Sequence, residues 1–273
     1  MARDRHSIYN GGTVKRPPPF LVSIAGLDPS GGAGILLDLH VFEGLSFRGA
    51  AVLAAVTAQT AAGVRAALAL PPVMVRKQFD ALTADLKIAG IKVGMLGSAA
   101  NVRLVAGLLG RSRAVPRVVD PVFRATSGAW LLEKKAACSF LGAMSGRATL
   151  ITPNLAEASL LTGRALTSVG RMKDAARGIF EGHGLPCLIK GGRLRGRIVD
   201  VLFDGREHAL FVHARSGRDV HGTGCFLSSA ILGFLARGRT LHEACHLGIE
   251  LTLEARRRAV RAGRGRAVFA FPL

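Results

Sequence analysis

The sequence predicts an α/β fold with a mostly parallel central sheet flanked by helices on both faces. Three observations predict it. Short apolar segments of strand length alternate with stretches of helical length, the pattern of a sheet covered on both sides. Polar or glycine-rich signals recur at the C-terminal ends of those strands, at Asp28, Gln59, Met95, Asp120, Asn154 and Lys190, where open α/β sheets bind ligands. The chain has 273 residues, 49% of them hydrophobic, enough for a sizeable core.

The elements follow in order. Residues 1–19 read as a disordered, basic and proline-rich leader, ending in Pro17-Pro18-Pro19. Phe20 to Ala25 is a buried strand, broken by Gly26 to Gly34, and Ile35 to Leu45 is helical. Ala51 to Val56 is a second strand, ending in Thr57-Ala58-Gln59-Thr60. Pro71-Pro72 opens a helix to Leu86, because proline is tolerated in a first turn. Ile88–Val93 is a strand and Asn101–Leu109 a helix. Short strands follow at Arg117–Val119 and Leu150–Ile151, then helices at Leu155–Leu161 and Val169–Glu181. Cys187–Ile189 is a strand; Ile198–Phe203 and Ala209–Val212 flank Asp204-Gly205 as a hairpin. Helices at Phe226–Leu235 and Leu241–Leu253 complete one domain over residues 20–258, and residues 259–273 form an arginine-rich tail.

The stretch Asp219-Val220-His221-Gly222-Thr223-Gly224-Cys225 precedes an apolar helix. Gly222 and Gly224 permit bending and close approach of a ligand. The helix start offers unpaired N–H groups and a positive dipole end, which suit a phosphate. Cys225 lies at that end, where a thiol pKa tends to fall. A phosphate cradle beside a reactive group is one reading; an ordinary glycine-rich turn with a buried cysteine is the other. No G-x-G-x-x-G or Walker loop occurs.

Asp120 and Glu157 are hard oxygen ligands suited to a magnesium–nucleotide complex. Asn154 and Glu157 also have the spacing of a helix capping box. Lys190 is a phosphate contact or a solvated turn residue. Gln59 and Asp38 are candidates for heterocycle recognition, and Met95 for packing on a flat ring. His242-Glu243-Ala244-Cys245-His246 matches H-E-x-x-H, but no third zinc ligand is signalled, so it reads as a chance match.

The formal net charge is +19, with arginines crowded near the C-terminus. That favours anionic ligands and leaves nucleic-acid binding as a function of another class. One Trp and one Tyr supply few stacking surfaces for bases, which argues against it. No apolar run is long enough to span a membrane. Four scattered cysteines without a CxxC pair fit a reducing cytoplasm.

Read together, Ala25 to Gly34, Ala58-Gln59-Thr60, Lys92 to Leu96, Asp120-Pro121-Val122, Thr126-Ser127-Gly128, Thr152-Pro153-Asn154, Lys190-Gly191-Gly192 and His221 to Cys225 occur in a distinctive order. Over residues 20–255 the chain resembles the hydroxymethylpyrimidine/phosphomethylpyrimidine kinases of thiamine biosynthesis, in the ribokinase superfamily. The resemblance implies a ribokinase-like fold, ATP and Mg2+ as cofactors, and a homodimer with the Asp204-Gly205 hairpin at its edge. It implies phosphorylation of 4-amino-5-hydroxymethyl-2-methylpyrimidine and then of its monophosphate. Gly26, Asp38, Gln59 and Met95 would lie at the pyrimidine. Asn154, Glu157, Lys190 and Thr223 would lie at the nucleotide, with Asp120 and Glu157 at the metal. Cys225 would be the base, and the Gly222-Thr223-Gly224 turn the anion hole. Phe123-Arg124 and Arg193 depart from the family pattern and could alter phosphate affinity or a lid. A pyridoxal/pyridoxine kinase on the same fold is the alternative.

Overall fold

A computed structural model describes residues 19–125, 128–214, 219–261 and 263–272. The leader up to residue 18, and Thr126 and Ser127, lie outside them.

The first half of the chain runs β1 (Phe20–Leu27), α1 (Gly34–Gly44), β2 (Arg48–Thr60), β3 (Gly63–Ala69), α2 (Pro72–Asp85), β4 (Ile88–Val93), α3 (Ala99–Arg111) and β5 (Arg117–Val119). It continues with α4 (Lys134–Cys138), α5 (Phe140–Met144), β6 (Leu150–Ile151), α6 (Leu155–Thr162), α7 (Val169–His183) and β7 (Cys187–Leu194). The final elements are β8 (Arg197–Phe203), β9 (His208–His213), α8 (Thr223–Ala236), α9 (Leu241–Arg257), β10 (Val260–Arg261) and β11 (Ala267–Val268).

Nine strands form one sheet in the order β3-β2-β1-β4-β5-β6-β7-β8-β9. The pairs from β2 through β7 are parallel. The outer strands β3, β8 and β9 add antiparallel edges. The predicted hairpin around Asp204-Gly205 is the β8–β9 connection. Three features escape the apolar-run criterion. β3 exposes most of its side chains, so it lacks a buried-strand signature. α4 and α5 are single turns too short for a periodicity signal.

The sheet divides two apolar layers. On one face Val22, Ile24, Ile91 and Val93 pack with residues of α2, α3, α5 and α7 such as Phe79, Val105, Met144 and Ile179. On the other face Leu21 packs with Leu37 and Phe42 of α1, Phe226 and Ile231 of α8, and Ile249 of α9. Alternation along a strand sends successive side chains to opposite faces. Lys92, between Ile91 and Val93, therefore points into the α1/α8 layer.

The C-terminal stretch, expected as a tail apart from the domain, packs onto it in its described part. β10 and β11 pair with each other, and Ala267 also bridges Val220 beside α8. Phe269 stacks on Phe226 with ring centroids 4.4 Å apart, and Phe271 stacks on His40 at 4.7 Å. Spaced apolar residues, Ala267, Phe269 and Phe271, make this attachment beside the arginines.

Candidate active site

The chain leaves β1 for β2 on one side and returns to β4 on the other, so the sheet reverses its direction of winding at β1. Ligand crevices form outside the strand ends at such a point. A cavity of about 400 Å3 opens there.

Its floor includes the first turn of α8. Gly222 is the N-cap, with φ of 80°, and no side chain caps the helix. A Cβ at Gly222 would run into the Gly32 carbonyl oxygen, so both conformation and space require glycine. Gly224 faces Asp120 and Lys190; a Cβ there would lie 3.3 Å from the Asp120 carboxylate and 3.4 Å from the Lys190 ammonium. The Thr223 hydroxyl donates to the Val220 carbonyl at 2.8 Å. An uncapped helix start lined by small residues is built to receive an anion.

Cys225 lies in the same turn and lines the cavity. Burial pushes its thiol up to about 11, against the opposing pull of the Lys92 ammonium and the Gly34 N–H. This corrects the expectation of a lowered pKa. Burial, with Asp38 and Asp120 nearby, outweighs the helix start.

Opposite the turn, Asp120 accepts hydrogen bonds from Lys190 Nζ at 2.9 Å and Thr152 Oγ1 at 3.1 Å. Burial works against the Lys190 charge, but Asp120 and Glu157 hold its pKa above the usual range. Asn154 caps α6: its side chain accepts from Glu157 N at 3.0 Å, while Glu157 Oε2 accepts from Asn154 N at 2.8 Å. The capping box is therefore present, and both residues also line the cavity. Burial and the Asp120 charge push the Glu157 carboxyl up to about 7. Among the described residues no group of three His, Cys, Asp or Glu is gathered for a metal. A nucleotide-bound magnesium needs only one or two carboxylates, because phosphates and water complete its shell. The mutual repulsion of Asp120 and Glu157 is what such a cation would relieve, so the donor set fits.

On the β1–β4 side, Gly26, Gln59 and Met95 line the cavity. Met95 belongs to a small apolar cluster with Ala55 and Leu131. A Cβ at Gly26 would come to 3.0 Å from Met95 Sδ, so glycine keeps this wall open. Asp28 Oδ2 accepts from Gln59 Nε2 at 3.1 Å and from His221 Nε2 at 2.8 Å. Burial opposes the Asp28 charge, but hydrogen bonds from His221 and Ser30 hold its pKa below the usual carboxylate range. This cluster ties the loop after β1 to the turn before α8.

Asp38 was expected at the pyrimidine and is not in the cavity wall. It is fully buried in α1, paired with Lys92 Nζ at 2.8 Å, and it accepts from Ser23 at 2.6 Å and Ser229 at 2.9 Å. Burial works against the Lys92 ammonium, but Asp38, Cys225 and Asp120 together hold its pKa above the usual lysine range. Helical periodicity places Asp38 on the face toward the sheet, beneath the site.

The other expected site residues, Gly26, Gln59, Met95, Asp120, Asn154, Glu157, Lys190 and Gly222 to Cys225, all line the cavity. Asp28, His221, Arg124, Arg256 and Arg266 also line it and were not among the expected binding residues. Asp28 and His221 sat inside recognised motifs, so a signal for them existed. Arg124 lies over the Trp130 ring at 3.9 Å. Arg193 is exposed on β7, opposite Ile198, away from the cavity. A second chamber of about 260 Å3 shares Asn154, Lys190, Thr223, Gly224 and Arg256 with the first. The H-E-x-x-H stretch is helical and accounted for locally. Glu243 closes the capping box of α9 with Thr240, while exposed His242 and His246 pack against Phe211.

The phosphomethylpyrimidine kinase family model matches residues 28–269. The hydroxymethylpyrimidine/phosphomethylpyrimidine kinase of Streptomyces coelicolor is 41% identical over 225 residues, covering 82% of this chain and 83% of that one. The chain spans about half, 51%, of the thiamine biosynthesis bifunctional protein of Geobacter sulfurreducens, to which it is 38% identical over 91% of its own length. Among solved structures, the phosphomethylpyrimidine kinase of Clostridium difficile aligns with a TM-score of 0.74 and 33% identity, covering 87% of this chain and 99% of that chain. The pyridoxal kinase of Bacillus subtilis, solved as an ADP complex, aligns with a TM-score of 0.82 and 27% identity, covering 92% and 96%. The fold is ribokinase-like, and by the extent of the sequence match the chain belongs to the phosphomethylpyrimidine kinase family.

Proposed function

We propose that this protein transfers the γ-phosphoryl group of ATP to the hydroxymethyl oxygen of 4-amino-5-hydroxymethyl-2-methylpyrimidine, and then to the phosphate of the monophosphate, in thiamine biosynthesis. The observation that carries the reading is the convergence of two kinds of wall on one uncapped helix start. Gly26, Gln59 and Met95 offer a flat, partly polar slot for a heterocycle. Asn154, Lys190, Thr223 and the adjoining chamber offer a nucleotide its polar and charged contacts. The α8 turn lies between them, suited to the transferring phosphoryl group.

In this reading the Thr223-Gly224-Cys225 N–H groups hold the transferring oxygens, and Lys190 neutralises charge on the nucleotide. Asp120 and Glu157 would hold Mg2+, which supplies charge neutralisation when bound. Cys225 takes the proton of the hydroxymethyl group. Its raised pKa keeps the resting thiol protonated at neutral pH, so the base form becomes available as pH rises. A homodimer belongs to the same reading, supported by exposed apolar side chains at the two sheet edges, Leu68 on β3 and Leu210 and Val212 on β9. No helix among the described residues is long and apolar enough to cross a membrane. A cytoplasmic setting is supported by cysteines that are all unpaired.

Pyridoxal phosphorylation is the second reading, favoured by the higher TM-score to pyridoxal kinase. The higher identity to phosphomethylpyrimidine kinases weighs for the pyrimidine. ADP release with magnesium-ATP and, separately, the pyrimidine alcohol, its monophosphate and pyridoxal tests both. Turnover of both pyrimidines is expected. Turnover of pyridoxal alone would transfer the assignment to the second reading, and no turnover of any acceptor would refute both.

A further inference from the structure

Arg266 belongs to the C-terminal hairpin, yet it lines the main cavity. Its backbone is fixed at several points. Arg266 N–H donates to the Ala61 carbonyl in the β2–β3 turn at 3.3 Å, and His221 N–H donates to the Ala267 carbonyl at 2.9 Å. The stacking of Phe269 on Phe226 attaches the same hairpin to the first turn of α8. The Arg266 backbone is therefore held beside the Gly222–Cys225 turn. Its one ion-pair partner among the described residues is Asp219, reached from Nε at 3.1 Å. Asp219 is 76% exposed, so this is a rim pair of little strength that an incoming anion can displace.

The other cavity arginines differ in place. Arg124 lies over Trp130, and Arg256 is shared with the second chamber. Arg266 lines the first chamber and not the second. On the ring side, Gly26, Gln59 and Met95 carry no positive charge. The two acceptors of the proposed reaction differ by one phosphate, neutral alcohol against phosphate dianion. A guanidinium fork suits that added group better than any neutral residue nearby.

We infer that Arg266 is a specificity-determining residue that binds the phosphate of the pyrimidine monophosphate and favours the second phosphorylation over the first; this rests on the pyrimidine kinase reading. In that step an oxygen of the monophosphate bonds to the γ-phosphorus of ATP. The bond from that phosphorus to the β,γ-bridging oxygen breaks, and the bridging oxygen leaves on ADP with the electron pair. The dianionic acceptor carries no proton to be removed.

The test compares kcat/KM for the alcohol and for the monophosphate in the native chain and in Arg266→Ala, Asp219→Asn and Arg264→Ala. Arg264 is exposed on the same hairpin and controls for net charge. Arg266→Ala is expected to lower the monophosphate-to-alcohol ratio about tenfold or more, mainly through KM for the monophosphate. Asp219→Asn frees the guanidinium and is expected to raise that ratio, and Arg264→Ala to leave it in place. A hairpin that only braces the site would lower both steps together in Arg266→Ala; that result, or an unchanged ratio in both Arg266→Ala and Asp219→Asn, overturns the inference. If Arg266→Ala does not fold, Arg266→Lys decides, because it keeps the charge and loses the fork: a lowered monophosphate-to-alcohol ratio is expected, and an unchanged one overturns the inference. Native protein that turns over neither pyrimidine would sink the kinase reading and this inference with it, whereas native turnover with an unmoved ratio sinks the inference alone.

Discussion

Replacing Asp38 by Ala separates a buried structural ion pair from a substrate contact. Asp38 and Lys92 are both 0% exposed, and the carboxylate also takes hydrogen bonds from Ser23 and Ser229. Removing it leaves an ammonium and two hydroxyls in the α1/α8 layer without their acceptor. Breaking one side of a buried pair costs about 3–5 kcal/mol. In a domain of this size that lowers Tm by about 6–20 °C. Urea unfolding at neutral pH, followed by circular dichroism, reads the loss. The pyrimidine KM of the folded fraction reads any direct contact. The double variant Asp38→Leu with Lys92→Met removes both charges and should recover much of the stability, since apolar replacements of buried pairs are often tolerated. Unfolding of Asp38→Ala at the native urea midpoint, or a raised pyrimidine KM with stability intact, would refute a purely structural role for Asp38.

Gly222→Ala forces an L-residue into a φ of 80° and drives its Cβ toward the Gly32 carbonyl; it should cost about 1–3 kcal/mol and suppress turnover of every acceptor, checked by melting and steady-state kinetics. Glu157 has a folded pKa of about 7, above the 4.5 of the unfolded chain, so its contribution to stability is present below pH 4.5 and lost as pH rises through 7. Glu157→Gln lacks that loss, and its stability relative to the native chain should improve by about 1–2 kcal/mol from pH 5 to pH 8, after discounting for solvent screening; a pH-independent difference would contradict the assignment. Cys225 titrates near 11, so its base form grows with pH across the working range. The rate of alcohol phosphorylation should then climb from pH 7 to 9, by at most about tenfold per unit, and Cys225→Ala should flatten the profile. Monophosphate phosphorylation, whose acceptor is already ionised, should stay level over the same range.

Much of this protein was legible without coordinates because its information is local. Apolar runs such as Ile88–Val93 mark buried strands wherever they fall, and glycine pairs such as Gly222 and Gly224 mark backbone that must bend. In a parallel sheet each strand end reaches the same rim, so Gln59, Met95, Asp120, Asn154 and Lys190 converge by topology alone. What the chain order conceals is which side of an element each residue meets and how deeply it is buried. Asp38 and Gln59 looked alike as hydrogen-bonding candidates, yet one is sealed between α1, β4 and α8 while the other lines the cavity. The Cys225 pKa follows from the sum of burial and neighbouring charges, which raise it where a helix start alone would lower it. The arginine-rich C-terminal stretch read as a tail because its apolar contacts are sparse and nonperiodic. Only tertiary packing, Phe269 on Phe226 and Ala267 beside Val220, carries Arg266 to the rim of the cavity, because long-range contacts between short irregular segments leave no periodic trace in sequence.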